Sequence, residues 1–372
     1  MEWTKKIVLA GLAVILAGQL IGCSSKDGGS QSSSSQDPAS AEAAADKDPL
    51  TGETYPAQIN IGIIEGGPES AILLKEDFLS GIGIKVNTVT YSAGTDINNA
   101  VVSGDVDVAS FGSSPIALGI ANGIKYRAVF IPYVQGGNIE ALAAKKDLNA
   151  GSVADLKGKT IAAPFGTTSH YALLNALKLA GLTSGDVTLL DMGGQDIVAA
   201  WTRGDIDAAY IWSPALDECL KDGVILTNDG ELAEQGVLIP EIAVAETGFS
   251  EKYPTLVSRY VRALMDVYDL VKENPEQAVK DVAEWEGITE ESARGQIDDN
   301  IWVSGEEQLS EDYLGTDDRK GKLAATLKTI ADFHQAQGNI SQAPDEKSME
   351  DAIDPSFAEQ ALKLKAGGTG QE

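Results

Sequence analysis

A thirteen-residue pattern recurs in this chain at an interval of one hundred positions. Residues 95–107 read TDINNAVVSGDVD, and residues 195–207 read QDIVAAWTRGDID. Each copy predicts a short amphipathic helix that ends at Gly104 or Gly204 and is followed by a buried strand. A turn with serine and proline comes after each strand. We interpret the two copies as one α/β unit present twice; the alternative is coincidence, because a helix, a Gly-Asp turn and a strand form a common connection.

The rest of the chain body alternates between strand and helix patterns. Strands are expected at 59–64, 85–91 and 160–163, with a helix over 70–78. After Phe249 the pattern is helical, with amphipathic stretches at 255–271, 276–285 and 322–335. Such alternation predicts mostly parallel sheets covered by helices. Together with the repeat, it predicts an α/β fold of two similar lobes facing each other across a cleft lined by strand-end loops.

The first residues have the pattern of a targeting signal. Lys5 and Lys6 precede the uncharged stretch 7–22, which is shorter than the roughly 20 residues that a bilayer-spanning helix needs. The stretch ends in Leu-Ile-Gly-Cys at 20–23, which resembles a bacterial lipobox. In lipoproteins of that type the cysteine is acylated and becomes the mature N-terminus, here Cys23. The alternative is an ordinary signal peptide that happens to hold a cysteine.

Both ends of the chain have compositions typical of disorder. Residues 24–54 are mostly Ser, Gly, Ala, Asp and Gln, which bury too little surface to fold, and the folded body is expected to start near Gln58. The expected organisation is a lipoprotein signal peptide over 1–22, a disordered Ser-rich linker over 23–56, the first part of lobe 1 over 57–144, lobe 2 over 145–246, the second part of lobe 1 with C-terminal helices over 247–345, and a C-terminal tail over 346–372.

Composition excludes several kinds of function. The chain has 28 Lys and Arg against 56 Asp and Glu, a formal net charge of −28, which argues against nucleic acid and against docking on anionic membranes through basic patches. Two cysteines and two histidines are too few for a disulfide scaffold or a common zinc site. No phosphate-loop motif occurs. We expect no metal and no cofactor, and we interpret Cys219, which has acidic neighbours, as an inert packing residue.

Hydroxyl side chains mark two helix starts after strands. Thr167, Thr168 and Ser169 follow one strand, and Ser113 with Ser114 follow another. Backbone N–H groups and the helix dipole at such a start attract an anion, and hydroxyls add donors without adding charge. The alternative is plain N-capping, for which Ser and Thr are the usual residues. Two such starts in opposing lobes predict an anion site between them.

Two glutamates stand in otherwise apolar strand patterns. Glu140 lies in GGNIEAL and Glu241 in IPEIAV. An unpaired buried carboxylate is costly, so each is expected to meet a cation or hydrogen-bond donors; the alternative for Glu140 is an exposed strand face. Tyr171 and Trp212 are candidates for apolar or cation–π walls, with ordinary core packing as the alternative.

The histidines give little support to an enzyme. A histidine base needs a nucleophile and an orienting partner, and His170 sits in a hydroxyl-rich helix start without an acid of its own. His334, late in a polar helix, is expected to be solvated. We therefore expect no catalytic residue and no enzymatic activity.

Four stretches together resemble the taurine and alkanesulfonate binding proteins of ABC importers, in the nitrate, sulfonate and taurine branch of solute-binding proteins. They are GSSP at 112–115, GNIEAL at 137–142, residues 165–174, and the long run 199–212. The resemblance covers about residues 59–337. It implies a two-lobed, periplasmic-binding-protein-like fold of type II, with the ligand between lobes that close over it and chain crossings near 143–146 and 245–249.

The resemblance also implies site residues and partners. By position, Ser113, Ser114, Thr167, Thr168 and His170 would surround a sulfonate, and Glu140 with Glu241 would hold an ammonium; the family usually has aspartate where Glu241 stands. The implied partners are taurine or another small sulfonate and an ABC permease with its ATPase. The protein would be a monomer anchored by lipid on the extracytoplasmic face of the cell membrane.

Three alternatives to taurine import remain open at this point. One is a thiamine-pyrimidine synthase of related fold, which would need a reactive histidine and would have no reason to be exported. Another is a binding protein for nitrate or another small anion. The third is a surface adhesin, which would not be stabilised by small molecules.

Overall fold

The computed structural model describes residues 47, 48, 51–137 and 139–367, the last three by backbone only. The expected signal peptide over 1–22, Cys23, most of the linker and the last five residues lie outside this part. The described residues belong to one compact unit. Among them, no helix combines the length and apolar composition that a membrane span requires.

Within the described residues the strands form two five-stranded sheets and one two-stranded sheet. The strands are β1 Gln58–Ile64, β2 Lys85–Tyr91, β3 Val108–Gly112, β4 Tyr126–Phe130, β5 Tyr133–Val134, β6 Glu140–Lys145, β7 Thr160–Ala163, β8 Thr188–Asp191, β9 Ala208–Trp212, β10 Gly223–Asn228, β11 Glu241–Glu246 and β12 Ile301–Trp302. The first sheet has the order β2-β1-β3-β11-β4, the second β10-β6-β9-β7-β8, and β12 pairs with β5.

Helices cover both sheets. They are α1 Pro68–Lys75, α2 Gly94–Ser103, α3 Ser113–Ala121, α4 Thr168–Leu179, α5 Gly194–Arg203, α6 Ala215–Leu220, α7 Asp229–Glu234, α8 Thr247–Lys252, α9 Pro254–Glu273, α10 Pro275–Glu286, α11 Glu290–Asp299, α12 Leu323–Ala336, α13 Glu346–Asp351 and α14 Ser356–Gly367. The strands and helices expected from the sequence agree with these elements to within a few residues at each end. The α/β, two-lobed fold class is confirmed.

The repeat corresponds to one structural unit in each sheet. Helix α2 ends at Gly104 with φ 81°, and α5 ends at Gly204 with φ 77°, a left-handed conformation that glycine adopts without steric cost. In the first unit the Asp107 carboxylate accepts a hydrogen bond from the Asn60 N–H at 2.7 Å. In the second, the Asp207 carboxylate accepts one from the Thr160 N–H at 2.8 Å. The repeated aspartates therefore fix β3 beside β1 and β9 beside β7.

The expected boundaries between lobes need correction. Strand β6 was assigned to lobe 1 except for its last residue, but it is antiparallel to β9 and β10 in the second sheet. Strand β11 was assigned to lobe 2, but it is antiparallel to β3 and β4 in the first sheet. The two crossings therefore lie near 135–139 and 235–240, not near 143–146 and 245–249. A backbone bond of 2.9 Å from the Gln135 N–H to the Ile239 carbonyl joins them.

The folded body extends further at both ends than expected. In the part assigned to a disordered linker, the Asp48 side chain is fully buried and pairs with Arg259 of α9 at 2.5 Å. In the part assigned to a tail, α13 and α14 bury Met349, Phe357 and Ala361 against the first lobe. Because both segments carry few large apolar residues, their composition alone did not indicate that they pack.

Candidate functional site

The cavity between the two lobes lies at the ends of strands from both sheets. It has an empty volume of about 420 Å³, including its opening to solvent. Residues from the loop after β1, the starts of α3 and α4, and the first crossing line it. The lining residues are Ile64, Glu65, Gly66, Gly67, Gly94, Gly112, Pro115, Tyr133, Gln135, Ile139, Glu140, Thr167, Thr168, Trp212 and Glu241.

The lobes meet at two glycines on the edge of this cavity. A Cβ on Gly66 would lie 2.2 Å from the Ser213 carbonyl oxygen and 2.7 Å from Cδ1 of Trp212. A Cβ on Gly112 would lie 2.4 Å from Cγ2 of Thr168. All three distances are far below van der Waals contact, so the two lobes approach this closely only because these residues have no side chain.

Three helices begin at the cavity wall. The residues before α1, α3 and α4 are Gly67, Gly112 and Thr167, and none of the three makes a side-chain capping bond. All three line the cavity. The Thr167 hydroxyl instead donates to the Pro164 carbonyl at 2.6 Å. Because the positive ends of three helix dipoles point to one space, this part of the wall favours an anion.

Carboxylates form the other part of the wall. Glu140 accepts hydrogen bonds from the hydroxyls of Thr168 at 2.5 Å and Ser169 at 2.6 Å. The sequence prediction that Glu140 meets donors is thus confirmed. Glu241 accepts a long bond of 3.5 Å from the Gln135 amide, and its Oε1 has no hydrogen-bond partner among the described residues. A buried carboxylate oxygen without a partner is a place where a ligand donor stabilises the protein.

Burial raises the pKa of both acids. Burial raises the pKa of Glu140, although the bonds from Ser169 and Thr168 oppose the rise. Burial also raises the pKa of Glu241 well above its usual range, and the charges of Glu69 and Glu140 raise it further. No Lys, Arg or His occurs among the described residues that line the cavity. The wall therefore has acids with no cation to balance them.

Of the nine ligand-site residues that the sequence analysis named, five line the cavity: Glu140, Thr167, Thr168, Trp212 and Glu241. Ser113, Ser114, His170 and Tyr171 do not. The Ser113 N–H donates to the Pro240 carbonyl at 3.0 Å, and the Ser114 hydroxyl pairs with Nε2 of His334 at 2.8 Å. The starts of α3 and α4 thus lie close together, but the Ser113 N–H and the Ser114 hydroxyl bond to other protein groups and not to the cavity.

The side chains of His170 and Tyr171 on α4 and of His334 on α12 are buried. His170 stacks on Phe165 with ring centroids 4.2 Å apart, and burial lowers its pKa to about 4. Tyr171 packs edge-on against Phe333 of α12. His334 is fully buried, so the expectation that it is solvated is wrong. Both imidazoles are neutral at physiological pH because burial disfavours the charged form.

Sequence reasoning missed part of the wall. Tyr133 lies in β5 and Gln135 in the first crossing, which the sequence analysis placed several residues later, and Gly66 with Gly67 were not named as site residues. The Gly-Gly pair at 136–137 is a signal for a crossing that could have found Gln135. Cys219 is a buried free thiol, and burial raises its pKa to about 12, as the packing interpretation expected.

Two five-stranded α/β lobes, joined by two crossings around one cavity, define the periplasmic-binding-protein architecture. The family model described as NMT1/THI5 like matches residues 74–278, more than half of the chain, and the chain belongs to this family.

Curated and solved proteins agree with this assignment. The chain is 31% identical to the taurine-binding periplasmic protein of Escherichia coli (strain K12) over 71% of its own length and 81% of that protein. The alkanesulfonate-binding protein SsuA from Xanthomonas axonopodis pv. citri bound to MOPS superposes with a TM-score of 0.66 at 21% identity, over 81% of this chain and 99% of that one. The desulfurization enzyme DSZB superposes at 0.59 and 16% identity, over 83% and 100% of the two chains. The resemblance found in the sequence is confirmed.

Proposed function

We propose that this protein is the solute-binding component of an ABC importer and that it binds taurine or a related small aminosulfonate. The observation that supports this most is the composition of the cavity wall. Three helix starts face the same space as two buried glutamates, and no cationic side chain is present among the described lining residues. A ligand with one anionic and one cationic end meets both halves of this wall.

The anionic end of the ligand would lie at the helix starts. Backbone N–H groups in the first turns of α1 and α4 supply donors without adding positive charge, while the Thr168 hydroxyl already donates to Glu140. A sulfonate has three oxygen acceptors and stays ionised at every physiological pH, so it needs donors but no proton exchange. The absence of arginine from the described wall favours a zwitterion over a plain anion such as nitrate, because nitrate would meet the glutamates without a balancing cation.

The cationic end would lie between Glu140 and Glu241. These residues belong to different lobes, since β6 is in the second sheet and β11 in the first. An ammonium between them is bound by both lobes at once and favours the conformation in which the lobes are in contact. Such ligand-dependent closure is how a two-lobed carrier would present a loaded state to its permease.

The lipid anchor and the extracytoplasmic location belong to the same proposal. Their support is the lipobox-like stretch at 20–23 and the polar sequence that follows it. An anchored monomer would stay near its permease and sample solute at the membrane surface.

An enzymatic function is supported less well, although DSZB shares the fold. Neither His170 nor His334 lines the cavity, and burial lowers the pKa of each to about 4. A reaction that needs a histidine base at the cavity would have none among the described residues.

Calorimetry with purified protein tests the proposal. Taurine should bind with a stoichiometry of one, and ethanesulfonate, isethionate and nitrate should bind more weakly. Thermal denaturation with the same ligands should rank them identically, since a ligand present at 100 times its Kd adds about 2.7 kcal/mol of apparent stability. If no sulfonate binds while nitrate or a pyrimidine does, the solute assignment is wrong.

A further inference from the structure

A third glutamate lies directly behind the cavity wall. Glu69 is the second residue of α1 and is 0% exposed. Its Oε1 accepts a bond of 3.1 Å from the Ser70 hydroxyl, and its Oε2 has no hydrogen-bond partner among the described residues. The hydroxyls of Ser110 and Tyr133 lie against it. The carboxylate is therefore buried, incompletely bonded and close to the ligand space.

Glu69 lies against two residues of the cavity wall, Gly67 and Tyr133. A Cβ on Gly67 would lie 3.0 Å from Oε2 of Glu69 and 3.2 Å from Oε1. Gly67 and Tyr133 both line the cavity. The carboxylate can fold back against the wall because position 67 has no side chain. Because Glu69 is fully buried beside this wall, solvent screens its charge little.

The groups that face Glu69 are acids and tyrosines. From the neighbouring elements these are Tyr133 of β5, Glu241 of β11, Tyr260 of α9 and Glu286 of α10. No cation appears among the described groups that act on Glu69 or Glu241. Burial raises the pKa of both carboxyls, and the charge of Glu69 raises that of Glu241 further. Two such acids retain a proton that isolated carboxylates would lose.

Unpartnered atoms at this place match the donors of an amine. Besides Oε2 of Glu69 and Oε1 of Glu241, Oε1 of Gln135 is buried without a partner among the described residues. Gln135 and Glu241 line the cavity, and both are nine-tenths or more buried. A primary ammonium carries three N–H donors and one positive charge. Glu241 and Gln135 can accept from it directly, and Glu69 acts on it from behind the wall.

We propose that Glu69 is a specificity-determining residue of the ammonium site, that it acts together with Glu241, and that binding of a cationic amine releases a proton from this pair. The inference rests on the proposed function. The ligand enters as an ammonium and keeps its own protons; the carboxyl O–H bond of the pair breaks, and its proton passes to the solvent. The preference for a ligand with an amine over one with a hydroxyl then depends on Glu69 and Glu241 of the first lobe, in addition to Glu140.

Calorimetry in buffers of different ionisation enthalpy measures the released proton. Taurine binding to the wild-type protein should release protons, and its Kd should fall with rising pH over the range in which the pair titrates. Glu69→Gln should release fewer protons than wild type, weaken this pH dependence and lower the preference for taurine over isethionate at least threefold. Glu290→Gln is the matched control, because Glu290 also lies in the first turn of a helix, α11, but is exposed and does not line the cavity; it should behave as wild type.

The outcomes separate the two proposals. If folded wild-type protein binds no taurine, the proposed function fails. If it binds taurine without releasing a proton, or if Glu69→Gln releases as many protons as wild type, the role of Glu69 is refuted and the proposed function stands. Should Glu69→Gln fail to fold, proton release on isethionate binding to the wild-type protein is measured instead. Isethionate brings no cation and should release no proton. Equal proton release by taurine and isethionate would overturn the inference.

Discussion

The side-chain amide of Gln135 lies 3.5 Å from Oε2 of Glu241, between the glutamate of one lobe and that of the other. Gln135 belongs to the first crossing, and its backbone N–H is bonded to Ile239 of the second. Its amide also acts on Glu140, whose pKa it helps to hold down against the effect of burial. The first crossing thus places a neutral donor, the Gln135 amide, beside both Glu140 and Glu241. The ammonium of the proposed ligand would add a charged donor at the same place.

Taurine should bind far more tightly than isethionate, which has a hydroxyl in place of the amine. Loss of a buried charge partner corresponds to about 2–5 kcal/mol, or roughly 30-fold or more in Kd. Glu241→Gln and Glu140→Gln should each weaken taurine strongly and isethionate little, because an amide does not need a cation. Titration calorimetry on the three proteins and two ligands completes the cycle. Equal binding of both ligands to wild type would mean that these carboxylates are not the amine site.

Gly112→Ala should impair contact between the lobes. Gly112 has φ −61° and ψ 148°, which alanine adopts freely, so the expected effect comes only from the clash of the new Cβ with Thr168. Taurine affinity should fall at least about tenfold, because closure becomes unfavourable. Small-angle scattering should show less compaction with ligand than in wild type.

The matched control for that variant is Gly193→Ala. Gly193 precedes α5 with φ −71° and ψ 165°, and a Cβ there would meet nothing within 4 Å. It should bind taurine as wild type does. Similar losses in the two variants would show that the effect belongs to helix starts in general rather than to lobe contact.

Asp48→Asn should destabilise the protein. The Asp48 carboxylate is fully buried and bonds to Arg259 and to the Tyr55 hydroxyl, so its replacement by an amide removes the negative charge that faces the guanidinium. We expect a loss of about 2–3 kcal/mol in the free energy of unfolding. Urea denaturation measures it. Asp351→Asn, which breaks the exposed pair with Lys347, should change stability by less than about 0.5 kcal/mol.

His334 should give the protein an acid-sensitive component of stability. Burial lowers its pKa from 6.5 to about 4, so below pH 6.5 the unfolded chain binds a proton that the folded protein does not. Stability from this group is complete above pH 6.5 and is lost as pH falls toward 4, by about 3 kcal/mol in total. The stability difference between wild type and His334→Gln should shrink over this interval, while groups common to both proteins cancel. A difference that stays constant with pH would contradict the assignment.

Cys23→Ser should release the protein from the membrane. In a bacterial host, wild type should sediment with the membrane fraction and the variant should remain in the soluble one, because acylation needs the thiol. Fractionation with an antibody against the folded body measures this. Identical distribution of the two proteins would rule out the lipid anchor.

Local signals in the sequence predicted much of the fold. Gly104 and Gly204 each mark the end of a helix, and the hydrophobic periodicity after them marks the start of a strand. Both signals depend only on residues that are close in the sequence. The prediction that Glu140 meets donors also held, because an acid in an apolar strand has few alternatives to a buried hydrogen bond. These inferences needed no knowledge of distant parts of the chain.

Long-range relationships could not be predicted in the same way. Ser114 and His334 are 220 residues apart and meet only because α3 and α12 pack together. The sheet to which β6 and β11 belong is decided by partner strands, and an apolar strand of six residues fits either sheet. The sequence did not predict the burial of Glu69, because a glutamate in the first turn of a helix is common and usually exposed.

The order of strands has a consequence for folding during synthesis, which proceeds from the N-terminus to the C-terminus. The second sheet is built from β6 to β10, one uninterrupted stretch from residue 140 to 228. The first sheet is incomplete until β11 arrives, because β4 pairs with no other strand of that sheet. The lobe that begins second is therefore expected to finish first. The earlier lobe waits with an open sheet edge for about one hundred residues, a period in which a chaperone would protect it from pairing with another chain.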